Sequence, residues 1–215
     1  MVKGEIKFEE RLNKVKKDVL EMSNLSKKSI SSTNNLINEF SEEKFNEVLE
    51  IEEKSNILNL DVENGCMELT ALHQPVARDL RFTASMMKIS DNYERICDLA
   101  EKIAYLSKER KKINPPKNIE KMQKKLVKML ELLEKSLKEE KTEKLWELSD
   151  IDDEIDKLFD SVHNELEKGM KKGESIKPST DLLFIARYLE RAGDITCKIG
   201  SRIIYMKKGK RVRIK

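Results

Sequence analysis

The sequence predicts an all-α fold of two tandem, similar three-helix bundles. Three observations support this prediction: charged residues make up 39% of the chain and apolar residues 38%, only 7 glycines and 4 prolines occur in 215 residues, and one helical motif recurs in each half. This composition is typical of long amphipathic helices, because glycine and proline are the residues that interrupt them. The regularly spaced Leu, Ile and Met residues argue against a disordered chain.

Helix-breaking and helix-capping residues divide the chain into about six helices. Ser41, followed by two glutamates, is a good N-cap with acidic residues in the first helical turn. Pro75 interrupts one long helical stretch and residues 114–116 (Asn-Pro-Pro) end another, because proline lacks the amide donor and clashes with the preceding turn. A further break is marked by Gly169, Gly173 and Pro178.

The two halves carry copies of one motif, which indicates duplication. Residues 90–103 (SDNYERICDLAEKI) and residues 186–199 (ARYLERAGDITCKI) both contain Glu-Arg-x-x-Asp-x-x-x-Lys-Ile, at a constant separation of 96 positions (190 − 94 and 194 − 98). We therefore predict two repeats of three helices each, the first over residues 1–113 and the second over residues 114–215.

Helical periodicity places the apolar residues of each motif helix on one face. The predicted core faces are Ile89, Tyr93, Ile96, Ala100 and Ile103 in the first copy, and Ile185, Leu189, Ala192 and Ile199 in the second. The motif carboxylates fall on the opposite face of each helix. We therefore expect them to form sites on the surface of the bundles.

The paired motif carboxylates are candidate metal ligands. Carboxylates one helical turn apart repel each other, and a hard cation offsets that repulsion when oxygen ligands from a neighbouring helix also reach it. Asp91 and Glu101 extend the acidic stripe of the first copy. The candidate ligands are the two motif pairs and one aspartate on each preceding helix: Glu94, Asp98, Glu190, Asp194, Asp61 and Asp156. The alternative is a solvated helix face, neutralised by Lys102 and Lys198 four residues after each motif Asp.

On these motifs the chain resembles the PhoU family, whose members carry a Glu/Asp-x-x-x-Asp motif once in each of two three-helix bundles. The motif reads ERICD at residues 94–98 and ERAGD at residues 190–194. The segment ALHQPVARDLR, residues 71–81, is similar to the family's segment before its first motif. The order of elements and the total length agree with the family over nearly the whole chain.

The resemblance implies a negative regulator of phosphate uptake and phosphate-starvation signalling, which acts in the cytoplasm as a non-catalytic adaptor to a phosphate ABC transporter. A sensor histidine kinase is a further candidate partner, and a homodimer is a candidate assembly. The adaptor would be peripheral to the membrane through its partners. Two alternatives stay open: an accessory protein of another phosphate transporter type, and a structural helical scaffold.

The resemblance also implies that the motif carboxylates bind iron or zinc, and other divalent cations stay as alternatives. The family usually has Asn four residues after each motif Asp, whereas this chain has Lys102 and Lys198. The ammonium groups of these lysines compete with a metal for the carboxylates.

Several classes of function are disfavoured. The two histidines, His73 and His163, do not form the Glu-x-x-His pairs of di-iron centres, and no Gly-rich phosphate loop or nucleophile elbow occurs, so no enzyme is predicted. The longest apolar runs are far shorter than the roughly 20 residues that span a bilayer. The net charge of +3 demands no nucleic acid. The three cysteines are predicted core residues in a reducing compartment.

Two groups of basic residues have open roles. The arginines near the acidic stripes either hydrogen-bond a phosphate or a partner's carboxylates, or lock neighbouring helices by salt bridges. These are Arg81, Arg95, Arg187 and Arg191. Residues 207–215 (KKGKRVRIK) either approach an anionic membrane or nucleic acid or form a solvated tail, and we favour the solvated tail.

Overall fold

Six α-helices make up the computed structural model, which describes residues 3–109 and 114–215. The first bundle consists of α1 (Lys3–Asn38), α2 (Glu42–His73) and α3 (Ala77–Glu109). The second consists of α4 (Lys117–Glu139), α5 (Glu147–Lys171) and α6 (Ile176–Lys208), with a short 3-10 turn, Glu143–Trp146, before α5. The described residues include no β-strand. The all-α prediction of two three-helix bundles is therefore confirmed.

Two predicted helix boundaries of the first bundle are confirmed, the start of α2 at Ser41 and its end before Pro75. The Ser41 hydroxyl accepts a hydrogen bond from the Lys44 amide at 3.4 Å, as an N-cap side chain does. Helix α2 ends before Pro75 on Gln74, whose φ of 46° is left-handed and whose amide donates to the Thr70 carbonyl. The predicted division between the bundles, after residue 113, borders residues 110–113, which lie outside the described residues, and it stays a prediction.

The break before α6 differs in detail from the sequence expectation. Gly173 is its turning point, with φ of 94°, a left-handed conformation that favours glycine. Gly169 lies inside α5, and Pro178 lies in the first turn of α6. Proline is tolerated there because the amides of the first turn have no partner within the helix.

Apolar side chains from all six helices form one continuous core. Every residue of the two predicted core faces is fully buried, and the three cysteines are buried and free. Helix α1 packs against α4, and α3 packs against α6, so the two bundles share an interface. Inside that interface the buried Gln123 side-chain amide donates to Thr33 Oγ1 at 2.8 Å. The core therefore continues from one bundle into the other.

An ion-pair cluster also ties the two bundles together. Glu140, just after α4, lies 2.6 Å from Lys16 of α1 and 2.6 Å from Lys207 of α6. These hydrogen bonds lower the pKa of Glu140 to about 2. The link therefore joins three helices at one point.

Residues 209–215 fold back onto α5 and α6, so the expected solvated tail is wrong. Ile214 is buried, and its amide donates to Ser201 Oγ at 3.1 Å. Gly200 makes room for this contact, because a Cβ there would lie 2.8 Å from Ile214 Cδ1 and 2.5 Å from Leu148 Cδ1. The basic residues of the segment are thereby held at fixed positions beside α6.

The described helices also bear on membrane insertion. Across residues 3–109 and 114–215, none of them combines the length and the apolar character that crossing a bilayer requires.

Candidate metal sites

The first acidic cluster consists of Glu52 on α2 and Glu94, Asp98 and Glu101 on α3. Burial raises the pKa of Glu94, and the negative charges of Asp98 and Glu52 raise it further. Burial, Glu52 and Asp98 likewise raise the pKa of Glu101. Lys102 pairs with Asp98 at 2.6 Å, as expected for an i+4 lysine. The first acidic cluster thus places four carboxylates near one another on α2 and α3, with Lys102 paired to Asp98 and the charge of Arg95 acting on Glu94.

The second acidic cluster consists of Asp152, Asp153 and Asp156 on α5 and Glu190 and Asp194 on α6. Asp152 is only 1% exposed, and burial raises its pKa. Burial also raises the pKa of Glu190, and the charges of Asp194, Asp156 and Asp152 add to this effect. Glu190 Oε2 is buried and accepts no hydrogen bond from the described residues. This cluster is therefore more enclosed than a solvated helix face.

Lys215 supplies the cation of the second acidic cluster. Its Nζ lies 2.8 Å from Asp152 Oδ2, 3.1 Å from Asp153 Oδ1 and 2.6 Å from Asp156 Oδ2. Burial disfavours the charged ammonium, but the attraction of these three carboxylates outweighs burial and raises the pKa of Lys215. A residue distant in sequence thus compensates part of the negative charge of the second cluster.

The corresponding positions of the first bundle do not carry three aspartates. Gly193 lets the Asp152 carboxylate approach α6, because a Cβ at 193 would lie 2.5 Å from Asp152 Oδ1. The equivalent of Gly193 at the constant separation of 96 is Cys97, and Ser55 is the α2 residue whose hydroxyl acts on the Cys97 thiol by lowering its pKa against burial. Ser55 therefore matches Asp152.

Continuing that register along α2 and α5 matches Asn56 to Asp153 and Asn59 to Asp156. Each aspartate that binds Lys215 is therefore replaced by an uncharged polar residue in the first bundle. The two clusters are built on the same helices of the repeat but are not equivalent.

The structure brings some predicted ligands together and separates others. Asp156 lies near the second motif pair, where its charge raises the pKa of Glu190. The charge of Asp61 instead raises the pKa of Asp18 on α1, so Asp61 lies away from the first motif pair. Asp61 follows Glu52 by nine residues, which at 3.6 residues per turn is two and a half turns. The two residues therefore lie on opposite sides of α2. Lys198 forms no ion pair with Asp194 among the described residues.

The motif carboxylates also differ in exposure. Asp194 is exposed as expected, but Glu190 has only 14% of its side chain exposed, because α5 packs beside it. Of the four arginines, Arg187 pairs with Glu190 at 2.7 Å, and the Arg81 guanidinium packs against Gly209. His73 packs on Phe8, which agrees with a packing role.

Sequence reasoning missed Glu52, Asp152, Asp153 and Lys215. A signal existed for the aspartates, because Asp152 and Asp156 lie one helical turn apart on α5, like the motif pairs. No local pattern pointed to Lys215, since its partners precede it by 59 to 63 positions.

The donor chemistry of both clusters suits a hard divalent cation, because it is made only of carboxylate oxygens. Within the described ranges, however, no three His, Cys, Asp or Glu side chains are gathered as metal ligands would be. In the first cluster, burial raises the pKa of Glu94 and Glu101, and the charges of Asp98 and Glu52 add to this effect. Lys102 forms an ion pair with Asp98, and the charge of Arg95 lowers the pKa of Glu94. In the second, Lys215 holds the position that a cation would take.

Comparisons with known proteins agree with this two-fold arrangement. A family model described as the PhoU domain matches residues 19–106 and again residues 119–203, and each match contains one motif. A phosphate-specific transport system accessory protein PhoU homolog of Archaeoglobus fulgidus is 30% identical over 209 residues, which cover 97% of this chain and 98% of that protein. The chain belongs to the PhoU family.

Other PhoU proteins extend the likeness. The phosphate-specific transport system accessory protein PhoU homolog 1 of Methanothermobacter thermautotrophicus is 32% identical over 206 residues. These residues cover 94% of this chain and 94% of that protein. The crystal structure of the phosphate transport system regulatory protein PhoU from Streptococcus pneumoniae has a TM-score of 0.88 at 25% identity, covering 95% of this chain and 99% of that one. The PhoU fold therefore covers 95% of the chain.

Proposed function

We propose that this PhoU-family protein is a negative regulator of phosphate uptake and of phosphate-starvation signalling. It acts at the cytoplasmic face as a non-catalytic adaptor to a phosphate ABC transporter, with a sensor histidine kinase as a second partner. The observation that carries the proposal is the match to phosphate-specific transport accessory proteins over 97% of the chain, with both motifs in place.

An exposed apolar patch where α2 meets α3 supports the role of an adaptor. Leu72 is 64% exposed and Val76 is 75% exposed, and Leu80 lies beside them in sequence with nearly half of its surface exposed. Apolar side chains grouped in this way mark surfaces that bind a partner. We assign this patch to the transporter contact.

Affinity capture from native membranes tests the adaptor proposal. The full chain should recover a subunit of a phosphate ABC transporter, and Leu72→Asp with Val76→Asp should abolish the recovery. The matched control is Ile57→Asp with Leu60→Asp, which changes two equally exposed apolar residues of α2 outside the patch. Recovery of another transporter type would favour the accessory alternative, and recovery of no transport protein would favour the scaffold.

We further propose that the first acidic cluster binds a divalent cation and that the second does not while Lys215 occupies it. Four carboxylates with one flexible lysine favour a multidentate cation, because an exposed i+4 ion pair contributes only about 0.3–0.5 kcal/mol. Oxygen-only ligands favour iron or manganese over zinc, which prefers nitrogen and sulfur ligands. Glu94, Asp98, Glu101 and Glu52 are the residues that would hold the ion.

Calorimetric titration of metal-stripped protein with Mn²⁺, Fe²⁺ or Zn²⁺ tests this proposal, and the duplicated motif supplies the control. We expect one ion per chain, with Glu94→Gln and Asp98→Asn abolishing binding. Glu190→Gln with Asp194→Asn should leave binding unchanged within about twofold, because that pair lies in the other bundle. Equal losses in both double variants, or an absence of binding in the wild type, would contradict the assignment.

A further inference from the structure

A basic cavity lies between the second half of α6 and the folded-back residues 209–215. Its volume is about 440 Å³, within the range of roughly 300–1,000 Å³ that ligand cavities occupy. No Asp or Glu side chain of the described residues lines it. The lining residues are Lys198, Ser201, Arg202, Tyr205, Arg211, Val212, Arg213 and Lys215.

Most of the cations around the cavity form no ion pair with the described residues. Lys198, Arg202 and Arg211 form no ion pair with any residue in the described ranges. The Arg213 side chain donates through Nε to the main-chain oxygen of Lys215, which leaves its terminal nitrogens available. Only Lys215 is engaged by acidic side chains. The cavity therefore concentrates positive charge that the protein itself does not neutralise.

Basic residues near the end of a helix also interact with its negative C-terminal dipole. The interaction with the dipole falls off within the last helical turn, and it does not require the basic side chains to surround a common cavity. Lys198 and Arg202 lie well before the end of α6 at Lys208, and Arg211 and Arg213 lie beyond it. The dipole of α6 therefore does not account for the arrangement.

We propose that this cavity binds a small multivalent phosphate-class oxyanion, such as pyrophosphate or triphosphate. Guanidinium and ammonium groups donate charge-assisted hydrogen bonds to phosphoryl oxygens, and arginine does so in pairs. The guanidinium carbons of Arg202 and Arg211 lie 5.6 Å and 5.8 Å from the centroid of the Tyr205 ring, so the aromatic ring that a nucleobase would stack on is already engaged by cation–π contacts. The ligand is therefore a phosphate chain without a base.

The cavity exists because residues 211–215 are pinned in place. Ile214 is buried beside Gly200, and Lys215 is held by Asp152 and Asp156 of the second acidic cluster. Releasing Lys215 would free the wall that carries Arg211 and Arg213. The oxyanion site is thus coupled to the second acidic cluster. The proposed cation site belongs to the first acidic cluster and is independent of it.

Isothermal titration of the full chain with pyrophosphate and triphosphate at low salt tests this inference. We expect saturable binding at one site, at least tenfold weaker in Arg202→Gln with Arg211→Gln. The control, Lys208→Gln with Lys210→Gln, removes the same charge from exposed residues outside the cavity and should change affinity less than about twofold. Asp156→Asn, which loosens Lys215, should also weaken binding.

Circular dichroism and melting temperature show whether each variant remains folded. Equal weakening in both double variants would identify non-specific attraction and overturn the proposal. An absence of saturable binding at millimolar pyrophosphate and triphosphate would overturn it as well. So would saturable binding to vesicles of anionic phospholipid without binding of the soluble anions, because the phosphate would then belong to a lipid headgroup.

Discussion

At the scale of single residues, Lys215 determines the state of the second acidic cluster. Asp152 is buried, and Lys215 is its nearest cation. A carboxylate in that position would be costly without a partner, because a buried charge that loses its partner keeps its desolvation penalty. The first cluster has no equivalent residue, so the two copies of the motif differ in charge although their motif sequences match.

We expect Lys215→Met to destabilise the protein by about 1–3 kcal/mol at pH 7 by leaving Asp152 unpaired. Removing the lysine raises the already elevated pKa of Asp152 further above its unfolded value of 3.8. The loss of unfolding free energy in Lys215→Met, relative to the wild type, should therefore grow as pH rises above 4 and shrink as pH falls towards 4. Thermal unfolding at pH 4 to 8 measures this trend.

The control for Lys215→Met is Lys210→Met, which removes an exposed lysine of the same segment. It should lower the melting temperature by less than about 1 °C. A deficit of Lys215→Met that does not change with pH would show that Lys215 contributes packing and not charge compensation.

At the scale of helices, Glu140 joins elements that are far apart in sequence. Glu140 follows α4, and its carboxylate pairs with Lys16 of α1 and Lys207 of α6, so this one residue links three helices and both bundles. Its left-handed backbone, with φ of 60°, turns the chain there towards the 3-10 turn. The connection between α4 and α5 therefore also serves as a link between the bundles.

We expect Glu140→Gln to cost about 0.5–1 kcal/mol at pH 7, because Glu140 is 44% exposed and solvent screens the pair. The pKa of this group is lowered from 4.5 to about 2, so its contribution is present above pH 4.5 and is lost as pH falls towards 2. Melting temperatures should differ by about 1–4 °C at pH 7 and converge below pH 3. Glu139→Gln, whose lysine contacts are 3.6 Å long, is the control and should show a smaller difference.

At the scale of the whole molecule, the two bundles share one core. Contacts between α1 and α4 and between α3 and α6 make the core continuous across the interface. The buried hydrogen bond from Gln123 to Thr33 lies in that interface. Such an arrangement favours unfolding of both bundles together, although each repeat has its own motif and acidic cluster.

We expect calorimetry to record a single unfolding transition, and Thr33→Val to shift the whole transition downwards. The substitution leaves the buried Gln123 amide without its acceptor, which costs about 1–3 kcal/mol, or about 2–10 °C in a chain of this size. Thr180→Val removes an exposed hydroxyl that bonds only within its own helix and should have little effect. Two separate transitions would contradict a shared core.

The sequence by itself determined the features that operate within one helix. The core faces, the Ser41 cap, the stop before Pro75 and the duplicated motif were all predictable, because periodicity and capping depend on residues at most a few positions apart. The same local reasoning separated the carboxylates from the core side of each motif helix. It also carried the resemblance to the PhoU family, since that motif lies within one helix.

Only the tertiary structure decided which residues meet across helices. Sequence reasoning chose Asp61 to complete the first cluster, but the packing of α2 on α3 brings Glu52 there and turns Asp61 towards α1. It treated residues 207–215 as solvated, but burial of Ile214 brings Lys215 to three aspartates of α5. Contacts of this kind depend on the rotation and position of whole helices relative to each other, which no local pattern of residues specifies.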